Sequence, residues 1–231
     1  MLVESWPVIF VTTEYFHHGL WLDHIVKEIG DGGFESYTVF ENMLLKVFRD
    51  VAAGLASLHS QGVLHLSVTL EHLYITSGSL SDGVKIGGCL VTKKGFTAMQ
   101  LSRGEQLSQL IDPVIAPPEI LNDQALTSKT DAWMLGCAVY EALLLWQRCQ
   151  ARSAPHAARA VVRLKEIRGI LQEIPIATSP ALRSLLRMLL HPNPTQRPHL
   201  SQVVDHLTFA RATATQRLSS DERDAFKMPP P

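Results

Sequence analysis

The residues best suited to chemistry fall in one stretch, Val63-Leu64-His65-Leu66-Ser67-Val68-Thr69-Leu70-Glu71-His72-Leu73, and at Gly88-Cys89-Leu90 shortly after it. Two hydroxyls, Ser67 and Thr69, alternate with apolar residues between two imidazoles, His65 and His72. A serine hydroxyl does not accept a proton near neutral pH, so Ser67 is no general base, a role worth roughly 10²–10⁴-fold in rate. His72 is a poor ligand for a hard cation that prefers oxygen. Gly88-Cys89-Leu90 brings no carboxylate. Asp82 is near in sequence, but on the wrong side of the Val84-Lys85-Ile86 run to replace one. His17-His18 has no Cys or carboxylate cluster beside it and reads as a solvated turn. Cys89 reads as an inert thiol. No metal site is expected.

The elements that must hold these residues follow from periodicity. Val8 to Thr13 is β-rich, Leu20 to Ile29 a short helix and Gly30 to Gly33 a loop. Thr38 and Glu41 have capping-box spacing ahead of a long helix. Along it Leu44, Phe48, Val51, Leu55 and Leu58 recur in steps of four and three, and Gly62 suits its C-terminal end. Leu73 to Thr76 and Val84 to Ile86 form a hairpin across the Ser/Gly/Asp-rich Ser77 to Gly83. Residues 87–119 carry no strong period and read as an extended loop. Ser128 and Asp131 open a helix buried on nearly every side, to about Trp146. Further helices are expected over Ala157 to Glu173, from the cap Ser179-Pro180 to the stop at Pro192, and over His199 to Phe209. Residues 1–210 form the folded unit, and 211–231, polar and ending in three prolines, are expected to be a disordered tail.

Composition excludes several classes. The 231 residues have a formal net charge of -1, which makes no electrostatic case for nucleic acid or an anionic membrane. The three cysteines are widely spaced and odd in number, against a zinc pattern or a disulfide framework. An intracellular, cytoplasmic setting fits that usage. The start lacks the basic region of a secretory signal, and Trp133 to Trp146 is too short to span a bilayer.

Laid end to end, the motifs resemble the large, C-terminal lobe of a eukaryotic protein kinase over roughly residues 7–209. Val8 to Phe16 resembles the last small-lobe strand and hinge. His65 to His72 resembles the catalytic loop, usually His-Arg-Asp-Leu-x-x-x-Asn. Val84-Lys85-Ile86 resembles the strand before Asp-Phe-Gly, and Ala116-Pro117-Pro118-Glu119 resembles Ala-Pro-Glu. Asp131-Ala132-Trp133-Met134-Leu135-Gly136 and Asn193-Pro194-Thr195-Gln196-Arg197-Pro198 resemble the opening of the buried central helix and the motif before the last helix.

The resemblance implies a mainly α fold with short β-hairpins, a kinase-like large lobe with at most the hinge strand of the small lobe. It puts Ser67 at the position of the catalytic Asp, Thr69 at that of the catalytic-loop Lys, His72 at the metal-binding Asn and Gly88 at the metal-binding Asp. Seven residues precede the hinge strand, so no Gly-rich loop or phosphate-gripping Lys is expected. The expectation is a pseudokinase, not an enzyme: a protein-interaction or regulatory scaffold with no catalytic, cofactor-binding or metal residue, in which ATP and magnesium are not expected. The alternative is an unconventional or fragmentary Ser/Thr protein kinase whose small lobe is encoded upstream or supplied in trans. The resemblance further implies structural roles: Glu119 paired with Arg197, Asp131 accepting from the catalytic-loop backbone, and His65 packed beneath that loop. A protein partner is expected at the exposed surface that would face the small lobe.

Overall fold

The computed structural model describes residues 14–89, 111, 115–122, 124–150 and 172–225. The strand expected over Val8 to Thr13, and most of the helix expected over Ala157 to Glu173, lie outside the described residues.

The fold is mainly helical with one short hairpin. Helix α1 spans Trp21–Gly30 and α2 spans Tyr37–Ser60. Strands β1, Leu73–Ile75, and β2, Val84–Ile86, pair antiparallel, with Tyr74 opposite Lys85. The short α3 covers Pro118–Leu121, and α4 runs over Ser128–Gln150. Helices α5, Pro180–Leu189, and α6, Leu200–Ala225, complete the order.

Each element has a local cause. The cap of α2 is Ser36, whose hydroxyl accepts from the Val39 N–H at 3.3 Å. Thr38, expected to cap, already lies inside the helix. Glu41, expected to close the capping box, instead reaches 138 residues along the chain to the Ser179 N–H. Gly62 ends α2 with φ 71°, and Val63 N–H returns to the Leu58 carbonyl at 3.0 Å. Ser179 caps α5, accepting from the Leu182 N–H, with Pro180 as the first helical residue. In the hairpin turn Thr76 N–H donates to the Gly83 carbonyl and Ser77 Oγ to the Asp82 carbonyl.

Helix α4 is the centre of the molecule, packed by α1, α2 and α5. Ala132 to Leu145 is buried on every face except at Glu141. Gly136 explains how α5 comes so close: a Cβ there would lie 2.8 Å from Leu190 Cδ2 and 2.9 Å from Leu189 Cβ. Leu44, Phe48, Val51 and Leu55 of α2 are buried, and Leu58 packs at their edge. Fully burying a side chain of this kind contributes roughly 1.5–3 kcal/mol.

The C-terminal end departs from expectation. The last helix was expected to stop near Phe209 and give way to a disordered tail from Arg211. Instead α6 continues to Ala225. Arg211 to Ala225 contains no Gly or Pro, and Ala, Arg, Gln and Leu are good helix formers, so no helix breaker interrupts this stretch. Among the described residues, no helix is long and apolar enough to cross a membrane.

Candidate functional site

The loop Leu64 to His72 lies between α2 and the hairpin, and one carboxylate anchors it. Asp131, fully buried at the start of α4, accepts the Leu66 N–H on Oδ1 and the His65 N–H on Oδ2, both at 2.8 Å. His59, on the last turn of α2, donates from Nε2 to the same Oδ2 at 2.7 Å. Three donors around one buried carboxylate satisfy its charge without a cation from Lys or Arg. The clamp holds Leu66 at φ 57°, a left-handed conformation that costs a side-chain-bearing residue roughly 1–2 kcal/mol.

His65 sits beneath the loop, 1% exposed. Its Nδ1 accepts from the Ser67 N–H at 3.3 Å, so the proton is on Nε2, which donates to the Gly87 carbonyl at 3.0 Å. Burial pushes its pKa below the usual histidine value, with Asp131 opposing the shift. His65 thereby joins the loop to the segment leaving β2.

The end of the loop nearest β1 is a contact among Ser67, His72 and Gly88. His72 Nδ1 lies 2.7 Å from the Ser67 carbonyl and 3.1 Å from Ser67 Oγ. The carbonyl accepts only, so Nδ1 carries the proton and Nε2 keeps its lone pair. The ring rests on Gly88, at φ 69°: a Cβ there would lie 2.5 Å from His72 Cδ2 and 2.7 Å from Nε2. Chemically, an imidazole so held can accept a proton from a hydroxyl at Nε2.

Thr69 is buried and its Oγ1 has no hydrogen-bond partner among the described residues. Asp82 takes no part in the loop: it pairs with Lys46 and accepts from Ser79 Oγ. Cys89 is half-buried, its thiol donating to the Leu64 carbonyl at 3.7 Å. Phe16 stacks on Tyr74 at 4.6 Å, which brings the segment before α1 onto the hairpin. His17 and His18 are exposed, and among the described residues no three metal-ligating side chains cluster.

A second centre lies on the other side of α4. Glu119 and Arg197, both 1% exposed, form a two-pronged pair, Nη1 to Oε1 at 2.6 Å and Nη2 to Oε2 at 2.8 Å. Arg197 also donates to the carbonyls of His191, Lys129 and Pro192, so all five N–H groups are used. Thr130 Oγ1 donates to Glu119 Oε1, and Lys129 Nζ to the Arg197 carbonyl. Desolvation and the Arg197 charge lower the pKa of Lys129. The guanidinium lies 4.9 Å over the Trp133 ring.

The structure thus places His65 and Asp131 together, Ser67 with His72 and Gly88, and Glu119 with Arg197. Sequence reasoning missed His59, Leu66 and the Glu41–Ser179 contact. A polar residue on the last turn of an amphipathic helix carries no mark of its partner 72 residues away.

Comparison with known proteins adds the family. The protein kinase domain profile matches residues 2–209. The chain is 25% identical to serine/threonine-protein kinase Nek8 of Danio rerio over 88% of its length, covering 26% of that protein. It is 27% identical to serine/threonine-protein kinase Nek3 of Mus musculus, over 84% of the chain and 35% of the relative. It is 25% identical to serine/threonine/tyrosine-protein kinase HT1 of Arabidopsis thaliana, over 86% and 46%. The chain therefore spans less than half the length of each. These findings overturn the expectation, drawn from Ser67, Thr69, His72 and Gly88 and from the short segment ahead of the hinge strand, that the chain is not an enzyme. The match extends over residues 2–209 and points to a protein kinase.

Proposed function

We propose, from the finding that this chain belongs to the protein kinase domain family, that it serves phosphoryl transfer from ATP to serine or threonine hydroxyls of a protein. The observation that carries this reading is the Asp131 clamp on His65 and Leu66, which fixes the backbone of the loop that ends at His72, whose Nδ1 is held by the Ser67 carbonyl so that Nε2 keeps its lone pair. The names of the relatives support it, since they are serine/threonine kinases.

Phosphoryl transfer depends mainly on positioning and on neutralising charge, and in this family magnesium supplies much of the latter when bound. The residues here do not fit that ion. Its two usual protein ligands, an Asn and an Asp, correspond to His72 and Gly88, and Gly88 has no room for a side chain against the His72 ring. We draw no step through the metal. In this reading His72 Nε2 takes the hydroxyl proton as the oxygen attacks the γ-phosphorus, and ADP leaves with the electron pair of the bridging P–O bond.

The test is incorporation of label from γ-labelled ATP into serine-containing peptides by the full-length protein. Incorporation is expected to fall about 10²-fold or more in His72→Gln. A wild-type rate no higher than that of the variant sinks the reading.

A second reading is compatible with the first: the lobe also acts as an interaction or regulatory scaffold for a protein. What favours it is the completeness of the Glu119–Arg197 and Asp131 centres beside the Ser67, Thr69, His72 and Gly88 positions. The expected contact is the face beside the hinge segment, where Tyr15 is 75% exposed. Loss of a co-purifying partner in Tyr15→Ser, with stability unchanged, is the outcome this reading requires.

A further inference from the structure

We infer that His72 and Gly88 form a matched pair that closes the family's divalent-cation position, so that no magnesium-class ion is held there. This concerns the ion alone and holds under either reading above.

Three observations carry it. The His72 ring cannot swing away freely, because Nδ1 is held by the Ser67 carbonyl at 2.7 Å and lies 3.1 Å from Ser67 Oγ. Residue 88 cannot carry a carboxylate while the ring is there: three ring atoms stand 2.5–2.7 Å from where its Cβ would be, closer than real Cβ contacts come. Asp82, the carboxylate near in sequence, lies in the turn at the other end of the hairpin, where it pairs with Lys46 and accepts from Ser79. A hard cation needs several oxygen ligands, and a single imidazole nitrogen over a glycine offers none. The relation is reciprocal. Gly88 is required because His72 is large, and the imidazole is accommodated because residue 88 is glycine.

The experiment measures Mn²⁺, as a magnesium mimic, by the loss of its free-ion EPR signal on titration into the full chain, with and without ADP. Wild type and His72→Ala are expected to take up the same amount. The double variant His72→Asn/Gly88→Asp is expected to take up one further equivalent per chain. Uptake of an equivalent by wild type that His72→Ala abolishes overturns the inference. So does a folded double variant that takes up no more than wild type, because something else then keeps the ion out.

A steric arm stands apart from metal binding. Gly88→Ala is expected to lower Tm, and the loss to shrink by on the order of 2–4 °C in a His72→Ala background, a shift of the size that mutational coupling makes visible in a domain this large. Additive effects of the two substitutions overturn the pairing, since the overlap would then not exist.

Discussion

Glu119 and Arg197 meet as a fully buried, two-pronged ion pair in which the guanidinium spends every N–H, two on the carboxylate and three on backbone carbonyls. The pair ties the segment before α4 to the turn before α6. Removing either partner leaves the other charge buried and uncompensated. Glu119→Ala and Arg197→Ala should each destabilise by about 3–5 kcal/mol. Replacing both by Leu and Met should cost less than either single change. Urea unfolding of the three variants checks this.

Asp131 organises the loop through backbone amides, and its loss should be felt there first. Asp131→Asn keeps one acceptor and turns the other position into a donor facing an N–H. A cost of about 1–3 kcal/mol is expected, as for a buried group left unsatisfied. Hydrogen exchange at the His65 and Leu66 amides should speed up by more than exchange in α5.

Leu66 is buried yet left-handed, so its two substitutions to small residues should rank unusually. Leu66→Ala removes packing and keeps the backbone strain, at about 2–5 kcal/mol. Leu66→Gly removes the same packing and relieves the strain, and should be the more stable of the two by about 1 kcal/mol. Thermal melts of both variants decide it.

Thr69 Oγ1 is buried with no hydrogen-bond partner among the described residues. Thr69→Val discards a hydroxyl that gains nothing from its surroundings, so stability should rise, by about 1 kcal/mol if the full desolvation penalty is recovered. A fall in Tm would show that the hydroxyl is satisfied in solution.

Glu41 gives a pH signature. Burial raises its pKa above the usual carboxylate value, against the pull of its bonds to Ser179. A raised folded value means that folding takes up a proton, so Glu41 stabilises most below the ordinary glutamate range. That contribution is lost as pH rises through the raised value. Glu41→Gln should therefore stabilise at neutral pH, with a Tm advantage that shrinks as the pH is lowered. His65 acts in the opposite sense: its lowered value favours the fold above the ordinary histidine range, and that contribution fades as pH falls. It is common to both proteins, so their difference isolates Glu41.

Much of the fold could be read in advance because it rests on local chemistry. The leucine spacing of α2, the Ser179-Pro180 start of α5, the Gly62 terminus and the Ser/Gly/Asp-rich turn each depend on nearby residues alone. The capping-box spacing pointed to Thr38, whereas the structure caps α2 with Ser36, and Glu41 bonds the Ser179 N–H far along the chain. The end of α6 failed differently, through reading polarity as disorder where no helix breaker exists.

The candidate site divides in the same way. Motif order alone brought out the positions of His65, Ser67, His72, Gly88, Glu119, Asp131 and Arg197, because the chain must pass through them in sequence. Their identities also limit the chemistry of single positions, since Gly88 brings no carboxylate and the Ser67 hydroxyl is no base near neutral pH. Tertiary structure alone decided what touches what: His59 on Asp131, the left-handed Leu66, and the His72 ring filling the space above Gly88. Such contacts depend on the angle and depth at which distant segments pack, and short-range sequence patterns do not encode them.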